Sequence, residues 1–147
     1  SAQHQFGAST ITSRTSLTSP TGDTFKAALY LVSATVDAST TAYSVTNEVS
    51  GTGYTAGGVT VTTATTPTAT NSSSTAGVGF VTPSASITYT SVTLATAFDA
   101  VLIYNSTQSD KAVSVHTFGS QTITAGTFTL TMPSNTTSTA LLRLATT

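Results

Sequence analysis

The chain has 147 residues, contains no cysteine, and carries only 6% charged residues with a formal net charge of −1. Its length predicts one domain that can bury a core without disulfides, and the lack of cysteine excludes thiolate metal sites. With so few basic residues there is no positive stripe of the kind that nucleic-acid binding requires, and no stretch approaches the ~20 apolar residues of a membrane span.

Serine and threonine replace charged residues as the polar component, at roughly 40% of the chain, well above average usage. Threonine is β-branched and favours an extended backbone. A surface of hydroxyl groups is less costly to desolvate than a charged one. The composition therefore fits two classes equally: a protein packed against copies of itself or a larger assembly, and a neutral β-domain of the secreted type.

The first 22 residues predict an extended N-terminal arm. They are polar and rich in serine and threonine, and their only large apolar residues are Phe6, Ile11 and Leu17. We expect such a segment to be disordered alone and to become ordered when it docks on a neighbour, with these three side chains as anchors. The predicted domains are an arm over residues 1–22 and a β-sandwich over residues 23–147.

The best specified part of the chain runs from residue 23 to residue 58. Alternation between Phe25 and Leu31 predicts a strand with one buried face. A polar connection with a weak strand over residues 41–45 follows. The next loop is dense in glycine, which can adopt backbone angles closed to other residues. These glycines are Gly51, Gly53, Gly57 and Gly58.

In the remaining chain, short strand-like segments are separated by turn signals. These segments are either apolar throughout or alternate apolar with polar residues. Strands are predicted over residues 59–63, 78–81, 86–94, 98–104, 111–118, 127–132 and 140–145, with loops over 65–74, 105–110 and 119–126. A change of phase near Ser91 predicts a β-bulge or a short turn. Residues 100–104 are apolar on both faces, which indicates a central strand.

Eight or nine short strands and no helix are typical of a sandwich, a jelly roll or a small barrel. Of these we adopt an all-β, single β-sandwich of the jelly-roll kind, preceded by the arm.

No residue pattern indicates catalysis, a cofactor or a metal. His4 and His116 lie far apart with no carboxylate at ligand spacing, so no metal site is expected, and a structural role is expected for His116. The five carboxylates fit turn and solvation roles, and there is no Gly-x-Ser-x-Gly motif. Tyr54, in the glycine loop, is either an exposed interface anchor or a residue packed down on the sheet. We therefore expect a protein that is not an enzyme and has no small-molecule substrate.

Three segments resemble small virion structural proteins of tailed bacteriophages. The first is Phe25–Tyr30, the second is Thr41–Tyr43 with Asn47–Gly58, and the third is Ala100–Ser106 followed in order by Lys111–Val115, Gly126–Leu130 and Leu141–Leu144. The Asn47–Gly58 segment is the most specific of these.

The resemblance implies a capsid decoration, or cement, protein that binds and stabilises the assembled head. The implied partners are the major capsid protein and copies of the chain itself, without nucleic acid or membrane, and the implied location is the capsid surface after assembly in the host cytoplasm. Two alternatives stay open: a tail or head–tail joining component, and a receptor- or carbohydrate-binding module of the virion. The expected interface residues are Phe6, Ile11, Leu17, Asn47, Glu48 and Tyr54.

Overall fold

The computed structural model describes residues 22–62, 68–72, 75–83, 86–136 and 138–145. This part of the chain forms seven β-strands and no helix: β1 (Phe25–Leu31), β2 (Val59–Val61), β3 (Thr68–Ser72), β4 (Thr75–Val81), β5 (Ile87–Asn105), β6 (Lys111–Leu130) and β7 (Leu142–Ala145). Accordingly, none of the described segments is a helix long and apolar enough to cross a membrane. The all-β prediction is confirmed here, whereas the arm, apart from Gly22, lies outside the described residues.

The described chain divides into two compact units, each with one antiparallel sheet. One unit comprises residues 24–61 and 87–130, and its four strands have the order β2-β1-β5-β6. We call it the β5–β6 unit. The other includes the described parts of 62–86 and 131–145, and its three strands have the order β3-β4-β7. The single domain over 23–147 stays a prediction.

Strand β1 is buried on both faces, whereas its alternation predicts burial of only one face. Phe25, Ala27 and Leu29 are buried as expected, but so are Ala28 and Tyr30. The connection after β1 provides the cover on that second face, where its residues Ala34, Val36 and Tyr43 pack against a cluster of Ala28, Tyr30, Ala100, Leu102 and Tyr104. A strand between two others with both faces covered needs no polar face.

Strands β5 and β6 form one long hairpin of 19 and 20 residues. The predicted division of each into two strands, with a turn over 119–126, is wrong. The ladder instead continues through five shifts of register, and Ser91 and Ala125 have φ values of 53° and 45°. Bulges let a strand change phase without ending. The bulge predicted near Ser91 is confirmed, as is the buried central strand at residues 100–104.

Turns and short strands differ more from the sequence predictions. The loop predicted after Asn105 is confirmed. The buried side chain of Asn105 stabilises this loop, because its Oδ1 accepts from the N–H groups of Thr107 at 3.0 Å and Gln108 at 3.2 Å. The weak strand over 41–45 reduces to one bridge between Ala42 and Lys111. The loop predicted over 65–74 is wrong at 68–72, where β3 pairs with β4, which is consistent with the β propensity of its threonines.

Candidate interaction surface

Two segments share one edge of β1, and the glycine loop joins them. Strand β2 pairs with the first half of β1, from Phe25 to Ala27. Beside the second half, Leu31 N–H donates to Asn47 O and Val49 N–H donates to Leu29 O, both at 3.0 Å. The Asn47–Gly58 segment therefore covers the β1 edge and then turns into β2.

Glycine is required in this loop where the backbone approaches β1 and β5 closely. Gly58 has a φ of 74°, and a Cβ placed there would overlap the carbonyl oxygen of Ala27. Gly53 has a φ of 79°, and a Cβ there would overlap the carbonyl oxygen of Ser91. The predicted need for unusual backbone angles is confirmed at these two positions and at Gly57.

Within the Asn47–Gly58 segment, Glu48 is buried and both of its carboxylate oxygens accept hydrogen bonds. The residue is 7% exposed. Its Oε2 accepts from the Tyr43 hydroxyl at 2.7 Å, while its Oε1 accepts from the Tyr54 hydroxyl at 2.7 Å and the Gly57 N–H at 2.8 Å. A buried carboxylate is stable when several donors replace its water. Glu48 therefore ties the connection to the glycine loop.

The hydroxyls of the other three tyrosines bind backbone carbonyls of the same unit. Tyr30 donates to Ser44 O at 2.6 Å, Tyr89 donates to Ala27 O at 2.7 Å, and Tyr104 donates to Gly57 O at 2.8 Å. The sequence contains five tyrosines, and the hydroxyls of all five thus join segments within the β5–β6 unit that are separate in sequence.

Aromatic stacking adds to these hydrogen bonds. The rings of Tyr43 and Tyr104 stack with centroids 4.7 Å apart, and those of Tyr54 and Tyr89 stack at 5.9 Å. Offset stacked pairs of this kind stabilise a fold beyond the area they bury. Together with Glu48, the five tyrosines form what we call the tyrosine cluster.

Burial raises the pKa of every tyrosine in the cluster. The pKa of Tyr104 rises to about 12 through burial and then through the negative charges of Asp110 and Glu48. For Tyr43 and Tyr54, burial and then the hydrogen bond to Glu48 raise the pKa further. The hydroxyls therefore remain protonated at neutral pH and serve as hydrogen-bond donors.

The segment after β1 exposes two apolar side chains. Val32 is 51% exposed and Val45 is 67% exposed, although both are large apolar residues. The same segment forms an open cavity of about 260 Å³, whose lining includes the sequence neighbours of Val45, Ser44 and Thr46. Its lining residues are Tyr30, Ala34, Thr35, Val36, Thr40, Ala42, Ser44, Thr46 and Asn47. We call Val32, Val45 and this cavity the valine surface.

The connection keeps its shape through local hydrogen bonds as well as through the cluster. Asp37 Oδ1 accepts from the N–H of Ser39 at 2.8 Å and from its hydroxyl at 2.6 Å. These bonds lower the pKa of Asp37 and form the turn that its sequence position predicts. The valine surface is therefore presented by an ordered loop.

The predicted interface residues occupy different layers of this region. Asn47 is exposed, has a φ of 59°, and lines the cavity. Glu48 is buried below it, and Tyr54 is half-buried with its hydroxyl turned inward, which matches the second of its two interpretations. Phe6, Ile11 and Leu17 lie outside the described residues. The interface roles of all six stay predictions.

Sequence reasoning missed Val32 and Val45. The available signal was weak: Val45 is a single large apolar residue between Ser44 and Thr46 in a segment that reads as a poor strand. It also missed that Tyr43 and Tyr54 converge on Glu48, since the three residues are brought together only by the turn at 45–48 and the glycine loop.

His116 lies on β6, where its Nε2 is 3.0 Å from the Ser114 hydroxyl, and burial lowers its pKa. No group of three His, Cys, Asp or Glu residues that could hold a metal ion occurs within the described residues. Comparison of the chain with protein-family models, curated proteins and solved structures found no match.

Proposed function

We propose that this chain is a bacteriophage virion structural protein, a capsid decoration or cement protein that binds the assembled head and stabilises it. The observation that carries the proposal is the valine surface: two exposed valines and an uncharged cavity on an ordered loop. The resemblance of the Asn47–Gly58 segment to virion proteins supports the choice of partner. The proposed partners are the major capsid protein and further copies of the chain, on the capsid surface.

The chemistry of the valine surface suits contact with another protein. Val32 and Val45 expose apolar area that a bound partner would remove from water. The removal of this area is favourable by about 25 cal/mol per Å². The hydroxyl groups around them are desolvated at lower cost than charges would be. A standard interface of about 1,600 Å² per contact is sufficient for stable binding, and symmetric repetition over a shell adds avidity.

The tyrosine cluster makes the surface ready for docking. Tyr30 holds Ser44, and Tyr43 and Glu48 hold the segment that precedes the glycine loop. A loop that is already ordered loses less conformational entropy on binding. The proposed mechanism is passive, with no reaction, cofactor or small-molecule substrate: buried area across the seams of the shell resists the outward pressure of the packaged genome.

Two finer features belong to the same proposal. The fold is proposed to be a β-sandwich of the jelly-roll kind, in line with the strand pattern of the sequence. The N-terminal arm is proposed to dock on the shell through Phe6, Ile11 and Leu17. Deletion of residues 1–19 is expected to leave a folded domain that no longer docks, and full docking of the shortened chain would contradict this.

A second candidate is a receptor- or carbohydrate-binding module of the virion. Thr35, Thr40, Thr46 and Asn47 are among the residues that line the cavity, and hydroxyl and amide groups can bind sugars. A tail or head–tail joining component is the third candidate. A glycan array with the purified chain tests the second, because specific binding there would replace the capsid contact as the primary role.

Copy number tests the choice between head and tail. We would measure the chain against the major capsid protein by quantitative mass spectrometry of purified particles. A ratio near one, or a simple fraction such as one third, supports a shell component. A count of about a dozen or fewer per particle assigns the chain to the neck or tail, and absence from particles rejects a virion role.

A matched pair of variants tests the valine surface itself. Val45→Asp places a charge on the surface, whereas Thr60→Asp places one on β2 at another exposed position. Both are expected to change the free energy of unfolding by no more than about 0.5 kcal/mol. Val45→Asp should weaken binding to heads that lack the chain at least about tenfold, a loss of about 1.4 kcal/mol, and Thr60→Asp should not. Equal binding of the two variants would contradict the assignment of this surface.

A further inference from the structure

The four-stranded sheet ends in two very different edge strands. At one edge β2 has 3 residues, and at the other β6 has 20. Strand β6 pairs with β5 on one side. On its other side the connection reaches only its start, where Ala42 bridges to Lys111 and Ala112 N–H donates to Thr41 O at 3.0 Å. Beyond that point no described segment pairs with this side of β6.

Strand β6 lacks two common features that keep edge strands from pairing with other chains. Natural edges commonly carry charged side chains, prolines or bulges. The only charged residue of β6 is Lys111, at its start, and the strand contains no proline. Its bulges leave a regular segment, since the pairing from Ser114 to Thr117 with residues 100–103 has no register shift.

We propose that residues 114–118 of β6 pair antiparallel with the same segment of a second copy of the chain, across a two-fold axis. The pairing would satisfy the outward backbone N–H and C=O groups of both strands. Two four-stranded sheets would thereby join into one continuous sheet of eight strands. This interface is isologous, so it closes at a dimer.

A second copy is the occupant that the charge pattern favours. From Ala112 to Leu130 the strand carries no Asp, Glu, Lys or Arg, so antiparallel self-pairing brings no like charges together. The two Lys111 residues lie at opposite ends of such a pair. A charged partner strand, in contrast, would find no complementary charge along this edge.

Apolar side chains along the edge also gain from this partner. Val113 and Val115 are half-buried, and Val115 packs against the cluster that contains Leu102 and Tyr104. In the pair these valines lie on the same face of the joined sheet as Val113 and Val115 of the second copy, because directly opposite residues point to the same face. The apolar cluster of each copy would then continue into the other.

The inference deepens the proposed function, from which it takes the expectation that copies associate, but it can be tested on the purified chain alone. Sedimentation of the full chain is expected to show a concentration-dependent dimer. Thr117→Lys, which puts a charge on an exposed position of the segment, should weaken the dimer at least about tenfold. The matched variant Thr60→Lys on β2 should dimerise like the wild type.

A cysteine scan locates the axis, since the sequence contains no cysteine of its own. In a two-fold antiparallel pair only one residue lies directly opposite itself. Single cysteines at positions 114–118 should therefore give one maximum of disulfide-linked dimer on oxidation, with lower yields on both sides. Thr60→Cys and Ser39→Cys, at other exposed positions, should give little.

The outcomes separate this inference from the proposed function. A monomer at all concentrations, a dimer unaffected by Thr117→Lys, or a crosslinking maximum at a control position would each overturn pairing through β6. A photo-crosslinking residue at position 117 identifies the occupant when the covalent dimer is isolated: a crosslink between the two copies at β6 supports the inference, and one from position 117 to residues 1–21 or any other segment of the second copy overturns it. None of these results depends on the copy number in particles.

Discussion

The Tyr54 hydroxyl donates to Glu48 Oε1 at 2.7 Å, and it also accepts from the N–H of Leu29 at 3.0 Å. Along this edge of β1, one stretch bonds to residues 47–49 and the other pairs with β2. The Tyr54 hydroxyl fills the position between these two stretches. One side-chain oxygen here completes a strand edge and satisfies a buried carboxylate. The valine surface depends on this contact, because the connection and the glycine loop meet at Glu48.

Replacement of Tyr54 by phenylalanine should therefore destabilise the chain strongly. The change removes a charge-assisted hydrogen bond to Glu48 and leaves the Leu29 N–H without its acceptor. We expect the free energy of unfolding to fall by about 2–3 kcal/mol. Urea denaturation followed by circular dichroism measures it.

The matched control is Tyr43→Phe. It removes the other tyrosine donor to Glu48, but Tyr43 is half-buried and no backbone donor depends on its oxygen within the described hydrogen bonds. We expect a loss of about 1 kcal/mol. If both variants unfolded with the same free energy as the wild type, Glu48 and its tyrosines would not be the support that we infer.

The glycine loop offers a second prediction. Gly58→Ala places a Cβ onto the Ala27 carbonyl at a φ of 74°, so either the loop or β1 must move. We expect a loss of about 3–4 kcal/mol, which combines left-handed strain with the displaced edge pairing. Thermal and urea unfolding of the variant, compared with the wild type, measure this.

Gly119→Ala is its control on β6, because a Cβ at Gly119 has no neighbouring atom within 4 Å. The free energy of unfolding should be unchanged or rise by up to about 1 kcal/mol. Similar losses for the two variants would mean that loss of glycine, and not the close approach of the loop to β1, determines the effect.

The sequence predicted those parts of the fold that depend on local pattern. The alternation from Phe25 to Leu31 is sufficient to place β1, and the break in alternation near Ser91 is sufficient to place a bulge. The turn region over 119–126 failed because Gly119 and Gly126 are turn signals that a long twisted strand can also contain at bulges. Local composition does not distinguish these two cases.

The site was less predictable, since it depends on contacts between distant segments. Glu48 and Tyr54 were predicted as interface residues, and their polar atoms bind each other. The second buried face of β1 shows the same difficulty: Ala28 and Tyr30 are buried because the 34–43 connection folds over them, and no alternation in β1 encodes that.

His116 gives a prediction about acid stability. Burial lowers its pKa from an ordinary value of 6.5, so the folded chain binds this proton less readily than the unfolded chain. Its stabilising contribution is present above pH 6.5 and is lost as the pH falls through that value towards the lower folded pKa. His116→Gln should flatten the dependence of unfolding free energy on pH between about 7 and 5. An unchanged slope would show that His116 does not titrate with folding.

The tyrosine cluster predicts a loss of stability in alkali. All five tyrosines have a folded pKa above the ordinary value of 10.0, mainly through burial. Since the unfolded chain then releases these protons first, the stability is complete below pH 10 and falls as the pH rises above it. Each tyrosine that stays protonated in the fold contributes a slope of up to about 1.4 kcal/mol per pH unit.

We would follow tyrosinate absorbance and circular dichroism together from pH 9 to pH 13. The two signals should change in one shared transition above pH 10, because tyrosines hydrogen-bonded to Glu48 and to backbone carbonyls ionise only when the β5–β6 unit opens. In Tyr54→Phe the transition should move to lower pH, since the cluster has lost its link to Leu29. Ionisation of most tyrosines near pH 10 with the β-sheet spectrum intact would contradict a buried cluster.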